Sequence, residues 1–524
     1  MRRLPLALRL MTRRGSPGRY EVQRETAVRV PAADGSPLLT DHYAPVTSEP
    51  CPTVLVRAPY LRSGFPWNLL YGVRIAEQGF HVLLQSSRGT GGSGGEFHSW
   101  RNETADGRAT VEWIRKQNWF SGDLFTLGAS YMSYAQAALA VDPPPEWRGA
   151  VMQVGLTDPH EFFWGGGAFR LERSLVGTLG LVQGNVTSGA MLRGALRMRF
   201  RLAKATLGLP LLDAYPSAIG GRRPAFEEWL AHPEPEFWHD TDLTTVAGAM
   251  EVPTSLCTGW WDLEPAQVIE QYRRMRAAGR DVDLLIGPWT HTNSLERGWT
   301  EVFAQTMRRL RREPPAYQVR VHVGGVDEWR DLPEWPPPDA ESRTLALGPE
   351  LRPDRTWTFR YDPADPTPSI GGPLQSPTQG QVDNARLESR ADVLLFTGEP
   401  LAEPLTVLGP VRASLAASTT AASGDLFVRL CDVDPAGRSI NICDGLTRMT
   451  GDGRTEVDLG HTAHVFRPGH RVRLQVSGGA HPRYLRNYGT GEPPGYATRL
   501  VPTETTVGEG STVILTVSPE QVNR

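Results

Sequence analysis

An α/β domain interrupted by a helical insertion and followed by an all-β domain is the architecture that this 524-residue sequence predicts. Three observations predict it. Strand-like apolar runs alternate with helical stretches from Val28 to Val141 and again from Pro253 to Ile286; strands are missing from the segment between; and past a Pro-rich stretch only short alternating segments remain. The length agrees, because a single hydrophobic core stops growing near roughly 250–300 residues.

Residues 1–18 read as a disordered extension. Their apolar run, Leu4 to Met11, is broken by Arg9 and followed by Arg13 and Arg14, too short and too charged for a secretory leader. Residues 19–152 form the first part of the α/β core, with strands at Thr53 to Ala58, Phe80 to Leu84 and Leu124 to Leu127. Helices are expected at Thr104 to Gln117 and Tyr131 to Val141, and this alternation implies a mainly parallel sheet covered by helices. Residues 153–250 are rich in Arg, Leu and aromatic side chains at helical spacing, which reads as a cap. The core resumes over 251–312 with the strand Pro253 to Thr258, the helix Pro265 to Ala278 and the strand Asp283 to Ile286, one further crossover. In residues 313–524, Leu332 to Asp339 and Pro363 to Pro368 mark a boundary and long loops. Segments such as Leu426 to Leu430, Arg471 to Val476 and Ser511 to Val517, set between Gly, Pro and Asp turns, predict a jelly-roll-like β-sandwich.

The charges nearly cancel: 55 basic against 58 acidic side chains leave a net charge of -3. No field of that size holds nucleic acid or an anionic membrane surface, so neither is expected as a partner. No segment reaches the roughly 20 apolar residues of a membrane span, and a cytoplasmic location is expected, with secretion left open. Cys51, Cys257, Cys431 and Cys443 form no CxxC pair and accompany no zinc-spaced His cluster, so no metal or redox site is indicated. Cys257 reads as strand packing, and Cys431 and Cys443 as free buried thiols with a cross-strand pair as the alternative. Lys occurs only at Lys116 and Lys204, neither at Ser-x-x-Lys spacing from a candidate nucleophile.

Three segments carry chemistry: Leu127-Gly128-Ala129-Ser130-Tyr131, Gly259-Trp260-Trp261-Asp262 and Gly287-Pro288-Trp289-Thr290-His291. A hydroxyl is a weak nucleophile unless an imidazole takes its proton and a carboxylate orients that imidazole. The order Ser, acid, His is that of the α/β-hydrolase arrangement. Ser130 lies between a strand and a helix, the setting of a nucleophile elbow, although Met132 stands where the usual elbow has Gly. The plain alternative is a serine at a helix N-cap. Gly91 to Gly95 satisfies GxSxG outright around Ser93, and Gly89 to Gly94 satisfies GxGxxG, but no helix follows, so the segment reads as a flexible loop. Asp262 and His291 sit at strand ends, where such sites assemble.

On these and further residues the chain resembles the cocaine esterase and X-prolyl dipeptidyl-peptidase group of α/β-hydrolases. The resemblance runs through Val56-Arg57-Ala58-Pro59-Tyr60, the segment Arg88 to Phe97, Glu112-Trp113 and the three motifs above; Phe396 to Leu401, Gly437-Arg438-Ser439, Asp444-Gly445 and Pro482-Arg483-Tyr484 extend it into the β-domain. It implies Ser130 as nucleophile, His291 as general base, Asp262 as orienting carboxylate, and an oxyanion hole made of the Tyr60 hydroxyl and the Tyr131 backbone N–H. It implies no cofactor and a homodimer. Two positions depart from the family pattern, Ser133 where Gly is usual and Ser86 where Asp is common.

The cap residues Phe162, Phe163 and Trp164 are candidates for an acyl pocket together with Trp261, with packing inside the cap as the alternative. Glu264 resembles the carboxylate by which α-amino acid ester hydrolases bind a substrate ammonium; otherwise it is an exposed residue at a helix N-terminus. The function expected is hydrolysis of esters or amides of small acyl substrates through an acyl-enzyme. The alternatives are an X-Pro dipeptidyl-peptidase or α-amino acid ester hydrolase, acting on short peptides or amino-acid esters, and a non-catalytic binding protein on the same scaffold.

Overall fold

The computed structural model describes residues 17–519 except 61, 65, 181–201, 203–204, 354–355 and 377. Most of the extension expected at 1–18 therefore lies outside the described residues; Pro17, which is described, accepts a hydrogen bond through its carbonyl from Gln78 Nε2.

Ten strands form one sheet: β1 (Val22–Pro31), β2 (Pro37–Pro45), β3 (Thr53–Ala58), β4 (His81–Ser86), β5 (Leu124–Ala129), β6 (Trp147–Gln153), β7 (Thr254–Trp261), β8 (Val282–Thr290), β9 (Val319–Val323) and β10 (Glu328–Leu332). Their order is β1-β2-β4-β3-β5-β6-β7-β8-β9-β10. The neighbours from β4 to β9 pair in parallel, and the edges β1-β2, β2-β4 and β9-β10 are antiparallel. Every residue of β3 and β5 is buried, so these strands read as apolar runs rather than alternating ones, as strands covered on both faces must. Helices Glu103–Arg115, Tyr131–Leu139, Pro265–Ala277 and Trp299–Leu310 pack on the sheet. β5, β6, β7 and β8 are adjacent, and Ser130, Asp262 and His291 each follow the carboxyl end of one of them.

Between β6 and β7 the chain forms short helices, among them Pro159–Trp164, Leu171–Gly180, Leu211–Ile219 and Pro224–Ala231, in the place where the sequence predicts a cap. The expected change of domain at 312/313 does not coincide with the edge of the α/β sheet. β9 and β10 extend the α/β sheet to Leu332, and the strands of the sandwich begin after the Pro-rich stretch that follows. The reason is that β9 offers Val319, Val321 and Val323 to the main core, a period-two pattern that sequence cannot assign to one sheet rather than the next.

The remaining chain is a two-sheet antiparallel sandwich. One sheet orders β11 (Glu341–Ala346), β21 (Thr512–Val517), β15 (Leu405–Thr419), β20 (Thr503–Val507) and β13 (Thr358–Tyr361), with β18 (Gly453–Phe466) also on β15. The other orders β12 (Arg352–Pro353), β14 (Val393–Thr397), β19 (Arg471–Ser477), β16 (Gly424–Val433) and β17 (Ser439–Met449). Side chains such as Phe359, Leu415, Val428 and Leu474 share its core. All four cysteines are free thiols. Among the described residues no helix is long and apolar enough to cross a membrane.

Candidate active site

Ser130 adopts φ 60° and ψ -126°, a conformation that L side chains rarely hold and that costs of order 1–3 kcal/mol. The surroundings enforce it. The Ser130 N–H donates to Gln153 O at 2.8 Å, and Gln153 is fixed in turn by the Tyr71 hydroxyl at 2.6 Å. The departure at Met132 has a local explanation. A Cβ on Gly128 would stand 2.3 Å from the Met132 Cβ, so glycine before the serine makes the room that the usual glycine after it would supply. Ser133, the second departure, is buried and donates its hydroxyl toward Gly128 O and Gln153 O, tying the helix start to the ends of β5 and β6.

His291 links the other two residues. Its Nε2 lies 3.1 Å from Ser130 Oγ and its Nδ1 lies 2.6 Å from Asp262 Oδ1. Asp262 is fully buried; its Oδ1 also accepts from the Leu263 N–H at 2.7 Å, and its Oδ2 from the Thr258 hydroxyl at 2.8 Å. A carboxylate so held fixes a proton on Nδ1 and leaves the Nε2 lone pair for the serine hydroxyl. Glycines explain the Gly-Pro-Trp-Thr-His motif. A Cβ on Gly287 or Gly298 would meet the Trp289 ring at 2.5 Å, and one on Gly259 would meet Trp289 O at 2.3 Å. The indole thus wedges between β7, β8 and the following helix and sets where His291 emerges.

The Tyr60 hydroxyl stands 3.5 Å from Ser130 Oγ, with its ring stacked on Trp67. Burial raises its pKa, partly offset by contact with the Ser130 hydroxyl and the Tyr131 backbone N–H, so the phenol stays protonated at neutral pH. The Tyr60 O–H thus lies beside Ser130 Oγ, and the Tyr131 N–H lies beside the Tyr60 hydroxyl. The Tyr131 side chain points away: its hydroxyl donates to Glu103 Oε1 at 3.0 Å and accepts from Trp100 N, while Arg57 Nη2 pairs with Glu103 Oε2 at 2.9 Å. Sequence reading missed this bracing because nothing local connects Arg57, Glu103 and Tyr131.

Other expectations need correction. Phe163 is 1% exposed and stacks on Trp229 at 4.4 Å; Trp164 is 4% exposed and donates its indole N–H to Trp229 O at 2.8 Å. Both belong to the core of the cap and not to a substrate wall, because aromatic residues at helical spacing bury themselves against one another first. Glu264 is neither exposed nor free. It is buried, with Oε1 shared by Arg170 Nη1 at 2.7 Å and by Arg173 Nη1. Ser93 does not sit in a flexible loop, since its hydroxyl donates to Ser86 O and accepts from Leu39 N–H. Ser86 itself accepts from Arg62, which Asp41 holds at 3.1 Å, so β2 supplies the carboxylate that position 86 lacks. Trp261 does line a cavity, between the cap, the strand ends and the β-domain. Among the described residues no cluster of three or more His, Cys, Asp or Glu is arranged to hold a metal.

A profile of the X-Pro dipeptidyl-peptidase (S15 family) matches residues 34–293, and one of the X-Pro dipeptidyl-peptidase C-terminal non-catalytic domain matches 311–517. The cocaine esterase of Rhodococcus sp. (strain MB1 Bresler) is 31% identical over 90% of this chain and 93% of its own. This chain belongs to the cocaine esterase and X-Pro dipeptidyl-peptidase family. It is a serine hydrolase. Solved structures of that fold superpose closely on the hydrolase: an α-amino acid ester hydrolase at TM-score 0.79, 22% identity, covering 95% of this chain and 97% of that one, and an aminopeptidase from a marine sediment Thaumarchaeota archaeon at 0.78, 21%, 95% and 96%.

Proposed function

We propose that this hydrolase cleaves carboxylic esters and amides of small acyl groups, with Ser130 as nucleophile, His291 as general base, Asp262 as its orienting carboxylate, and Tyr60 O–H with Tyr131 N–H as the oxyanion hole. The observation that carries the reading is the unbroken chain from Tyr60 to Ser130, His291 and Asp262, each neighbouring pair 2.6–3.5 Å apart. Ser130 Oγ bonds to the substrate carbonyl carbon as His291 Nε2 takes its proton. The oxyanion is met by the two donors, His291 passes the proton to the leaving alcohol or amine, and the acyl-enzyme forms. Water, deprotonated by His291, then releases the acid and restores Ser130.

The test is labelling by a fluorophosphonate with peptide mapping, beside turnover of p-nitrophenyl acetate and Gly-Pro-p-nitroanilide. The expected adduct is on Ser130, with none in Ser130→Ala; an adduct on Ser93, or on no serine, overturns the assignment. The family match supports X-Pro dipeptide release as the second reading. Turnover of the anilide would establish it, and ester turnover without anilide turnover would remove it. A homodimer accompanies the proposal on family resemblance and a cytoplasmic location on the short, charged Leu4 to Met11 run, and sedimentation of the purified chain tests the assembly.

A further inference from the structure

Two cavities stand at opposite ends of the sheet. One is lined by Ser255, Asp283 and Arg309, toward the amino ends of β7 and β8, away from Ser130. The other, about 160 Å³, opens at the carboxyl ends, where Trp260 and Trp261 run directly into Asp262; the cap supplies Glu161 and Arg170, and the β-domain supplies Ile442, Asp444 and Tyr484. In parallel α/β sheets ligands bind at the carboxyl ends, and Trp261 and Leu263, the chain neighbours of Asp262, both line this second cavity, which puts it on the side of the sheet where Ser130 stands.

Its two buried carboxylates are already engaged. Glu264 is shared by Arg170 and Arg173, and Arg173 is locked further by Nη2 donating to Leu263 O at 2.9 Å. The Asp444 carboxylate is buried between Arg429 and Arg483. Glu161 Oε1 lies 3.5 Å from Arg170 Nη2, and Asp458 is exposed with Oδ1 taken by the Gly460 N–H. Burial pushes the His461 imidazole down to about 3, so it is uncharged. A cation entering here gives up its hydration, finds both buried carboxylates held by guanidiniums, and meets Arg170 on the wall; removing a charge from water without a partner costs several kcal/mol. An uncharged chain meets Trp260, Trp261, Ile442, Leu446 and Leu459 instead.

We propose that the Arg170–Glu264–Arg173 unit makes this cavity reject a positively charged acyl group, so that the substrates are esters of uncharged acids and not of α-amino acids or peptides with a free N-terminus. The proposal rests on the acyl-hydrolase reading above. It is tested with two isosteric p-nitrophenyl esters, one of trimethylammonioacetate and one of 3,3-dimethylbutanoate, each rate normalised to its own hydroxide-catalysed hydrolysis. Wild type is expected to favour the uncharged ester at least tenfold in kcat/KM. Arg170→Gln is expected to narrow that ratio, and Glu264→Gln to keep or widen it. Equal turnover of the two esters by wild type, or a loss in Glu264→Gln confined to the cationic ester, overturns the proposal, and neither depends on whether the arginine variant folds. If neither ester is hydrolysed, the acyl-hydrolase reading itself fails, whereas a fast reaction without discrimination removes only the inference about charge.

Discussion

At the scale of single residues the site divides into groups that react and groups that hold them. Tyr60 tests the division most cleanly, because its hydroxyl touches Ser130 while its ring is braced independently by Trp67. Tyr60→Phe keeps the ring and removes one oxyanion donor; kcat for p-nitrophenyl acetate is expected to fall by about 10²–10³, with KM little changed and thermal unfolding within about 1 °C of wild type. A loss below about threefold would remove Tyr60 from the oxyanion hole. Ser133 belongs to the holding groups. Its hydroxyl fills the place of the glycine usual in the family, with its one O–H shared between two buried carbonyls, which is why that departure leaves the strand-to-helix turn intact.

At the scale of elements, the elbow is a pair of side-chain volumes as much as a backbone turn. Gly128→Ala puts a methyl group 2.3 Å from the Met132 Cβ and is expected to destabilise by about 1–3 kcal/mol through overpacking, with a matching loss of activity as Ser130 shifts. Met132→Gly empties the same space, so in a double-mutant cycle read by urea unfolding the pair should cost clearly less than the sum of the singles; an additive result would show that the two positions do not share that space. This coupling also shows what sequence makes legible. Strand β3 and helix Pro265–Ala277 are readable within a residue because apolar run length and periodicity are local, and Ser130, Asp262 and His291 are readable as strand-end residues in a characteristic order. The edge strands β1 and β10 are not, because their mostly exposed, polar residues form no apolar run. Glu264 is misread for a different reason: its partners Arg170 and Arg173 are more than ninety residues away, and no local pattern reports a charge pair made across an insertion.

At the scale of the whole molecule, the cavity exists only because three parts of the chain meet, and buried charge holds the junction. The loop carrying His291 is tied to the β-domain by Thr292 and Gln379, whose side chains exchange hydrogen bonds at 2.8 and 3.1 Å. Arg170 of the cap lies over the Tyr484 ring, and the Glu172 N–H donates to Pro482 O. Beside these contacts Asp444 is the common anion of Arg429 and Arg483. Burial alone would raise its pKa, but Arg483 and Arg429 outweigh it and hold the carboxyl below its ordinary value of 3.8. A pKa lower in the folded state than in the unfolded one means that the stabilisation is fully present above about pH 4 and is lost as pH falls through the folded value. Asp444→Asn leaves two guanidiniums buried without their anion, which is expected to cost about 3–5 kcal/mol at pH 7. The difference between wild type and variant, measured as urea midpoints from pH 7 down to pH 3, should shrink on the acid side, since protonation gives wild type the neutral side chain that the variant already has. A difference that stayed constant across that range would mean that Asp444 acts at the junction by shape and hydrogen bonding, with its charge contributing nothing.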